Sequence, residues 1–135
     1  MSSCLTFTDQ PHFEIDPRLM VHVDRFYEEA EKHGRYLRKE DLLVSVQDLP
    51  DTTPGLCAYG GINHIYIGKK FFEHNYNNFF SSGDSVYFEK IQYVIFHELG
   101  HCVLHRSHTN NYSIMRPVAT DYNINNFLLH ELFNF

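Results

Sequence analysis

FHELGHCVLHRSHTNNYSIMRP, residues 96–117, is the stretch around which the rest of the chain is organised. Four histidines and a glutamate fall within residues 97–108, and Met115-Arg116-Pro117 closes the run. His97-Glu98-Leu99-Gly100-His101 is the pattern HExxH. On a helix, residues four apart lie one turn apart on one face, so the imidazoles of His97 and His101 can close on a single ion. Glu98, beside the first ligand, is then placed to take a proton from a water on that ion, as general base. Two neutral imidazoles leave the ion's positive charge in place, and zinc held this way draws the pKa of its water towards neutrality. A closed structural zinc site favours sets rich in cysteine, and only Cys102 is near. One catalytic Zn2+ is therefore the expected cofactor.

A catalytic zinc needs a third protein ligand, and the residues alone leave several. His105 continues the line of His97 and His101, but at ~1.5 Å of rise per residue the outer two would stand about 12 Å apart, too far for one ion. His108 can reach the ion only where the helix ends near residue 104 and the chain turns back. Glu131, on a downstream helical segment, and Asp121, between the two, are the other choices.

Working outwards, residues 84–104 read as one long buried helix. Asp84 or Ser85 can cap it, and Val86, Ile91, Val94, Ile95 and Leu99 form a broad apolar stripe. The Ser, Thr and Asn residues that follow, and then Pro117, do not continue it. Residues 123–133 read as a last helix, with Ile124, Phe127, Leu128 and Leu132 on one side. Upstream, Asp16-Pro17 and Gly34 bracket a helix whose apolar face is Leu19, Val23, Phe26, Tyr27 and Ala30. Residues 42–47 read as a strand, and 49–55 as a loop. One or two strands are expected around Gly60-Gly61, with 62–67 the firmer. The polar run 73–85 reads as loop, and 1–15 as an irregular arm. Residues 1–135 thus form a single α+β domain, with a small mixed, twisted sheet packed on an N-terminal helix and a long active-site helix.

The composition bounds the function. At 135 residues, one domain with a real core is the natural expectation. A net charge of −6 argues against a nucleic-acid partner or an anionic membrane surface. No apolar run is long enough to span a bilayer. No basic stretch followed by an apolar one opens the chain, so no signal peptide is expected, and both a cytoplasmic location and export with a removed leader stay open. Cys4, Cys57 and Cys102 cannot all pair with one another, so free buried thiols are expected ahead of a Cys57–Cys102 bridge.

HELGHCVLHRSHTNNYSIMRP resembles the catalytic end of the metzincin zinc proteases, most closely the matrixin-like ones, over about twenty of the residues. Their pattern is HExxHxxGxxH followed by a Met-turn. His97, Glu98 and His101 match it directly, and Ser113-Ile114-Met115 looks like the Met-turn. The resemblance implies that His108 is the third ligand, one residue later than in the family. The family's helix-ending glycine is Leu104 here. No glycine follows Gly100, so an Asn or a His must take the turn. Also implied is a minimal metzincin-like fold with a C-terminal helix after the Met-turn. The activity implied is that of a zinc-dependent endopeptidase, acting as a monomer on an extended peptide or protein substrate. Such a substrate would pair along an exposed sheet edge. Residues 58–67 are the expected edge, with Tyr59, Gly60 and Gly61 allowing close approach. The competing classes are a catalytically silent zinc-binding module of the same fold, a gluzincin-type peptidase using Glu131, and a hydrolase of other amides.

Overall fold

The computed structural model describes residues 13–119 and 121–135; the expected arm over residues 1–12, with Cys4, lies outside them. Asp16 starts the first helical segment by accepting a hydrogen bond from the Arg18 backbone N–H at 2.9 Å. Pro17 opens one turn of 3-10 helix, which runs directly into α1 (Met20–Lys32). Gly34, at a φ of 82°, ends it as expected. Leu19, Val23, Phe26 and Ala30 of this segment are fully buried.

Four strands form one mixed sheet, in the order β1-β2-β4-β3. β1 (Phe13–Ile15), β2 (Leu42–Gln47) and β4 (Asn63–Gly68) are mutually parallel where they pair, and β3 (Gly55–Ala58) runs antiparallel to β4. Phe13–Ile15 therefore departs from the irregular arm expected there. Three residues carry too weak an alternation to be read alone, and it is their register against Leu42–Val44 that makes them a strand. Leu42, Val44, Ile65 and Ile67 alternate onto the helix-facing side and are almost fully buried. β4, expected to be the exposed edge, is an interior strand, and β3 is the edge beside the site.

The polar run after Phe72 is helical rather than a loop: α2 spans Lys69–Ser82. Its Asn and Ser residues have low helix propensity, but aromatic packing overrides that. Phe72 stacks on Tyr76 with ring centroids 4.9 Å apart, Tyr76 meets Phe80 at 4.8 Å, and Phe79 meets Phe88 of the next helix at 5.6 Å. Asn75, Asn78 and Ser82 turn their side chains back onto carbonyls of their own helix. Gly83, at a φ of 71°, ends α2, and Asp84 caps α3 (Ser85–Cys102) through the Val86 N–H at 3.0 Å.

α3 packs against α1, α2, β3 and β4 and is the centre of the molecule. Phe96 meets Phe26 edge-on at 5.4 Å, and Phe26 meets Phe133 of α4 (Asn126–Phe133) at 5.2 Å. Asn125 caps α4, so it starts later than residue 123. Phe127, expected on its buried side, is instead exposed and stacks on Tyr112 at 5.5 Å. Among the described residues no helix is long and apolar enough to cross a membrane.

One buried group gives the fold a pH dependence. His22 is 3% exposed, lies against the Phe88 ring at 4.5 Å, and leaves its Nδ1 without a partner among the described residues. Burial lowers its pKa to about 4, against a raising contact with Gln92, and the Arg25 charge lowers it further. The folded chain thus holds His22 neutral where the unfolded chain takes up a proton. Stability is lost as pH falls from the ordinary value near ~6.5 to about 4, by about 3 kcal/mol from this residue. Denaturant melts at pH 7 and pH 4.5 should show His22→Leu losing less stability on acidification than the parent. Equal losses in both proteins would remove His22 from this role.

Candidate metal centre

The last turn of α3 sets the site. Instead of stopping at a glycine, the helix widens. The Leu104 N–H reaches Leu99 O at 3.3 Å, and the Arg106 N–H reaches Gly100 O at 2.9 Å. Between them His105 adopts the left-handed conformation, at a φ of 56°. Histidine tolerates that region better than most residues, though at a cost of about 1 kcal/mol. His105 points to solvent and takes the backbone role that a glycine would have, one residue later than the family pattern.

The reversed chain is pinned on both sides of His108. Upstream, Arg106 is 8% exposed, and its guanidinium clasps the Glu131 carboxylate through two bonds of 2.9 Å. Downstream, the Thr109 N–H donates to Met115 O at 3.0 Å. His108 is thereby returned over α3. Its ring lies 5.2 Å from that of His97 and 4.8 Å from that of His101, centroid to centroid. One ligand nitrogen from each of His97, His101 and His108 falls within 4.8 Å of the others, so the three could hold a metal ion.

The hydrogen bonds decide which nitrogens face inwards. His97 Nδ1 lies 2.7 Å from Ile114 O, and His101 Nδ1 lies 2.7 Å from Arg106 O. A carbonyl only accepts, so each Nδ1 must carry its ring's proton. The two Nε2 atoms, 3.2 Å apart, then face each other as lone pairs with no proton between them. Two acceptors at that distance repel unless a cation joins them. Two zinc–nitrogen bonds of ~2.0–2.1 Å at a tetrahedral angle would set the nitrogens about 3.3 Å apart, which fits. Protonation is the other remedy, and the surroundings oppose it. Burial lowers the His97 pKa to about 4; the Ile114 carbonyl works against this, and His101 and His108 add to it. Burial also lowers His101, opposed by the Arg106 carbonyl and reinforced by His108.

Glu98 lies beside this pair, 6% exposed, and burial pushes its carboxyl up to about 7. The cationic charge of an ion on the histidines would oppose that and favour the carboxylate. Gly55 of β3 lets the edge strand come against it: a Cβ there would sit 2.9 Å from Glu98 Cγ and 3.0 Å from Oε2. Beneath the helix, a Cβ on Gly100 would collide with Met115 Sδ, so the interior of the HExxH turn and Met115 are fitted to each other. Met115 is fully buried, with its N–H bonded to Ser113 Oγ at 2.9 Å.

Three links tie the β3–β4 hairpin to the end of α3. Cys57 and Cys102 form a disulfide, contrary to the expectation of free thiols. Tyr59 OH donates to His101 O at 2.8 Å, and Asn63 Nδ2 to Cys102 O at 3.1 Å. The carbonyls at the end of a helix lack partners of their own, and these two side chains supply them. Gly60 and Gly61 lie in the connection between β3 and β4, not along the edge strand.

His97, Glu98, His101 and His108 lie along a cleft of about 540 Å³. The cleft is also lined by residues 52–54 and the start of β3 with Tyr59, by Tyr93 and Val94 of α3, and by the segment 116–119 with Tyr122. The other suggested ligands lie elsewhere. Glu131 is committed to Arg106 and to Ser113 Oγ, which donates to it at 2.6 Å. Asp121 is exposed and accepts from the Asn123 N–H at 3.0 Å. Arg106 was missed from the sequence, since a lone arginine among histidines carries no mark of its buried partner.

Compared with protein-family models, with curated protein sequences and with solved structures, the chain matches none.

Proposed function

We propose that this protein is a zinc-dependent endopeptidase of metzincin type, with His97, His101 and His108 as metal ligands and Glu98 as general base. The observation that carries the proposal is the pair of facing Nε2 lone pairs with a buried carboxylate beside them in an open cleft. A set of three imidazole ligands would suit zinc among the available divalent ions and would leave a coordination position for water or substrate. When bound, zinc supplies Lewis-acid polarisation of a carbonyl oxygen and of a water.

The residues of the chain do the rest. Ile114 O and Arg106 O hold the two imidazoles in the ligating tautomer. Glu98 accepts the attacking water's proton at a carboxylate oxygen and returns it to the leaving amine. The outer edge of β3, unpaired among the described residues, offers backbone groups to an extended peptide, and Gly55 keeps that edge close to Glu98.

The test is metal dependence. Protein stripped by a chelator should lose hydrolysis of a denatured-protein substrate, and one equivalent of zinc per chain should restore it. X-ray absorption on the reloaded protein should show a shell of nitrogen ligands at about 2.0 Å. Zinc bound with no hydrolysis of any peptide would leave a silent binding module. Hydrolysis indifferent to the chelator would end the proposal.

A further inference from the structure

We infer that Arg116 recognises a carboxylate on the bound peptide close to the bond that is cut, an inference that rests on the peptidase reading above. Among the described residues lining the cleft, Arg116 is the only lysine or arginine. Apart from Glu98 and the three histidines, the rest of the lining is apolar or neutral, with Pro117, Val118 and Ala119 following Arg116 in the chain. No ion pair engages it among the described residues. The carboxylate nearest in sequence, Asp121, is exposed and caps the Asn123 N–H instead. A half-buried guanidinium with no ion-pair partner among the described residues is placed to take a carboxylate from a ligand.

The base from which the side chain springs is fixed. Ile114 and Met115 immediately before it are fully buried. The Arg116 N–H is held by Ser113 O at 3.3 Å, and the proline that follows restricts its backbone to extended conformations. Little backbone freedom remains to be lost on binding, so a bidentate pair with a carboxylate keeps most of its strength. The chain's net charge of −6 disfavours anionic peptides at long range. Selection must therefore come from this short-range pair. A carboxylate can be an acidic side chain flanking the scissile bond or the free end of a short peptide, and both present the same group.

The experiment measures binding, so that it does not depend on turnover. Zinc-loaded Glu98→Gln protein is titrated with peptides blocked at both ends, identical except for Glu or Gln at each position of a short scan. A second pair compares the Gln peptide with a free or an amidated C-terminus. The expected result is binding about tenfold or more tighter for Glu at one or two positions, in line with a charge-assisted hydrogen bond. Arg116→Gln in the same background should bring that ratio to about one, and Arg116→Glu should reverse it in favour of Gln. A preference confined to the free C-terminus, and lost in Arg116→Gln, supports the same recognition with the chain end as its source. No preference in the parent, or a preference that survives Arg116→Gln, overturns the inference without needing any variant of doubtful folding. Should the Arg116-dependent ratio appear while protein with Glu98 intact cuts nothing, the recognition stands and the peptidase reading falls.

Discussion

Glu98→Gln should lower kcat/KM for peptide hydrolysis by about 1000-fold and leave the bound metal in place. The substitution keeps the shape of the side chain, which matters because Gly55 brings the β3 edge against it and leaves little room for anything larger. It removes only the capacity to take up a proton. Glu98 shares no hydrogen bond with His97 or His101, whose Nδ1 partners are the backbone carbonyls of Ile114 and Arg106. Metal content, read by mass spectrometry of the native protein, should therefore stay at one ion per chain. A general base of this kind accounts for about 10²–10⁴-fold of rate. Burial that pushes the free carboxyl up to about 7 also marks it as a group whose proton affinity the fold has tuned. Wild-type hydrolysis in the variant would assign the base elsewhere. Loss of metal along with activity would mean that Glu98 supports the ligands rather than the water.

Much of this site was legible in the sequence because helix geometry is rigid. Four-residue spacing put His97 and His101 on one face, and the same arithmetic removed His105. The need for a reversal near residue 104, taken by an Asn or a His in the absence of a glycine, was legible too; that His105 is the residue that takes it leaves no composition signal. The place of His108 was reached through family resemblance, and its physical cause is the Arg106–Glu131 pair and the Thr109–Met115 bond, contacts 25 and 6 residues apart in the chain. The helix over Lys69–Ser82 was missed for a related reason: its stability lies in Phe and Tyr contacts with α3, while its own Asn and Ser content speaks for a loop. The short β1 strand and the Cys57–Cys102 bridge likewise exist through partners distant in sequence.

The same dependence on remote contacts makes Glu131→Ala the most damaging substitution outside the ligand cluster. Arg106 and Glu131 have side chains only 7% and 17% exposed, joined at 2.9 Å. Removing the carboxylate leaves a buried guanidinium without its counter-charge, held only by the backbone carbonyls of residues 131 and 132, and should cost about 3 kcal/mol of stability, seen as a lowered denaturant midpoint. Ser113 Oγ loses its acceptor at the same time, and Met115 N–H depends on that hydroxyl. The carbonyl of Arg106 holds His101, so metal affinity should fall by about tenfold as well. Burial alone would raise the Glu131 pKa, but the Arg106 and Ser113 hydrogen bonds and the Arg106 charge outweigh it and hold it below the usual carboxylate value. The stabilisation is therefore present above the unfolded carboxylate pKa and is lost as pH falls through the lower folded one, so wild type and Glu131→Ala should converge in stability under acid. An apolar pair, Arg106→Met with Glu131→Leu, should recover most of the stability, because two desolvated charges leave together. If it recovers metal affinity too, packing alone sets the loop that carries His108. If stability returns and affinity does not, the ion pair and its Ser113 branch are what aim the ligands.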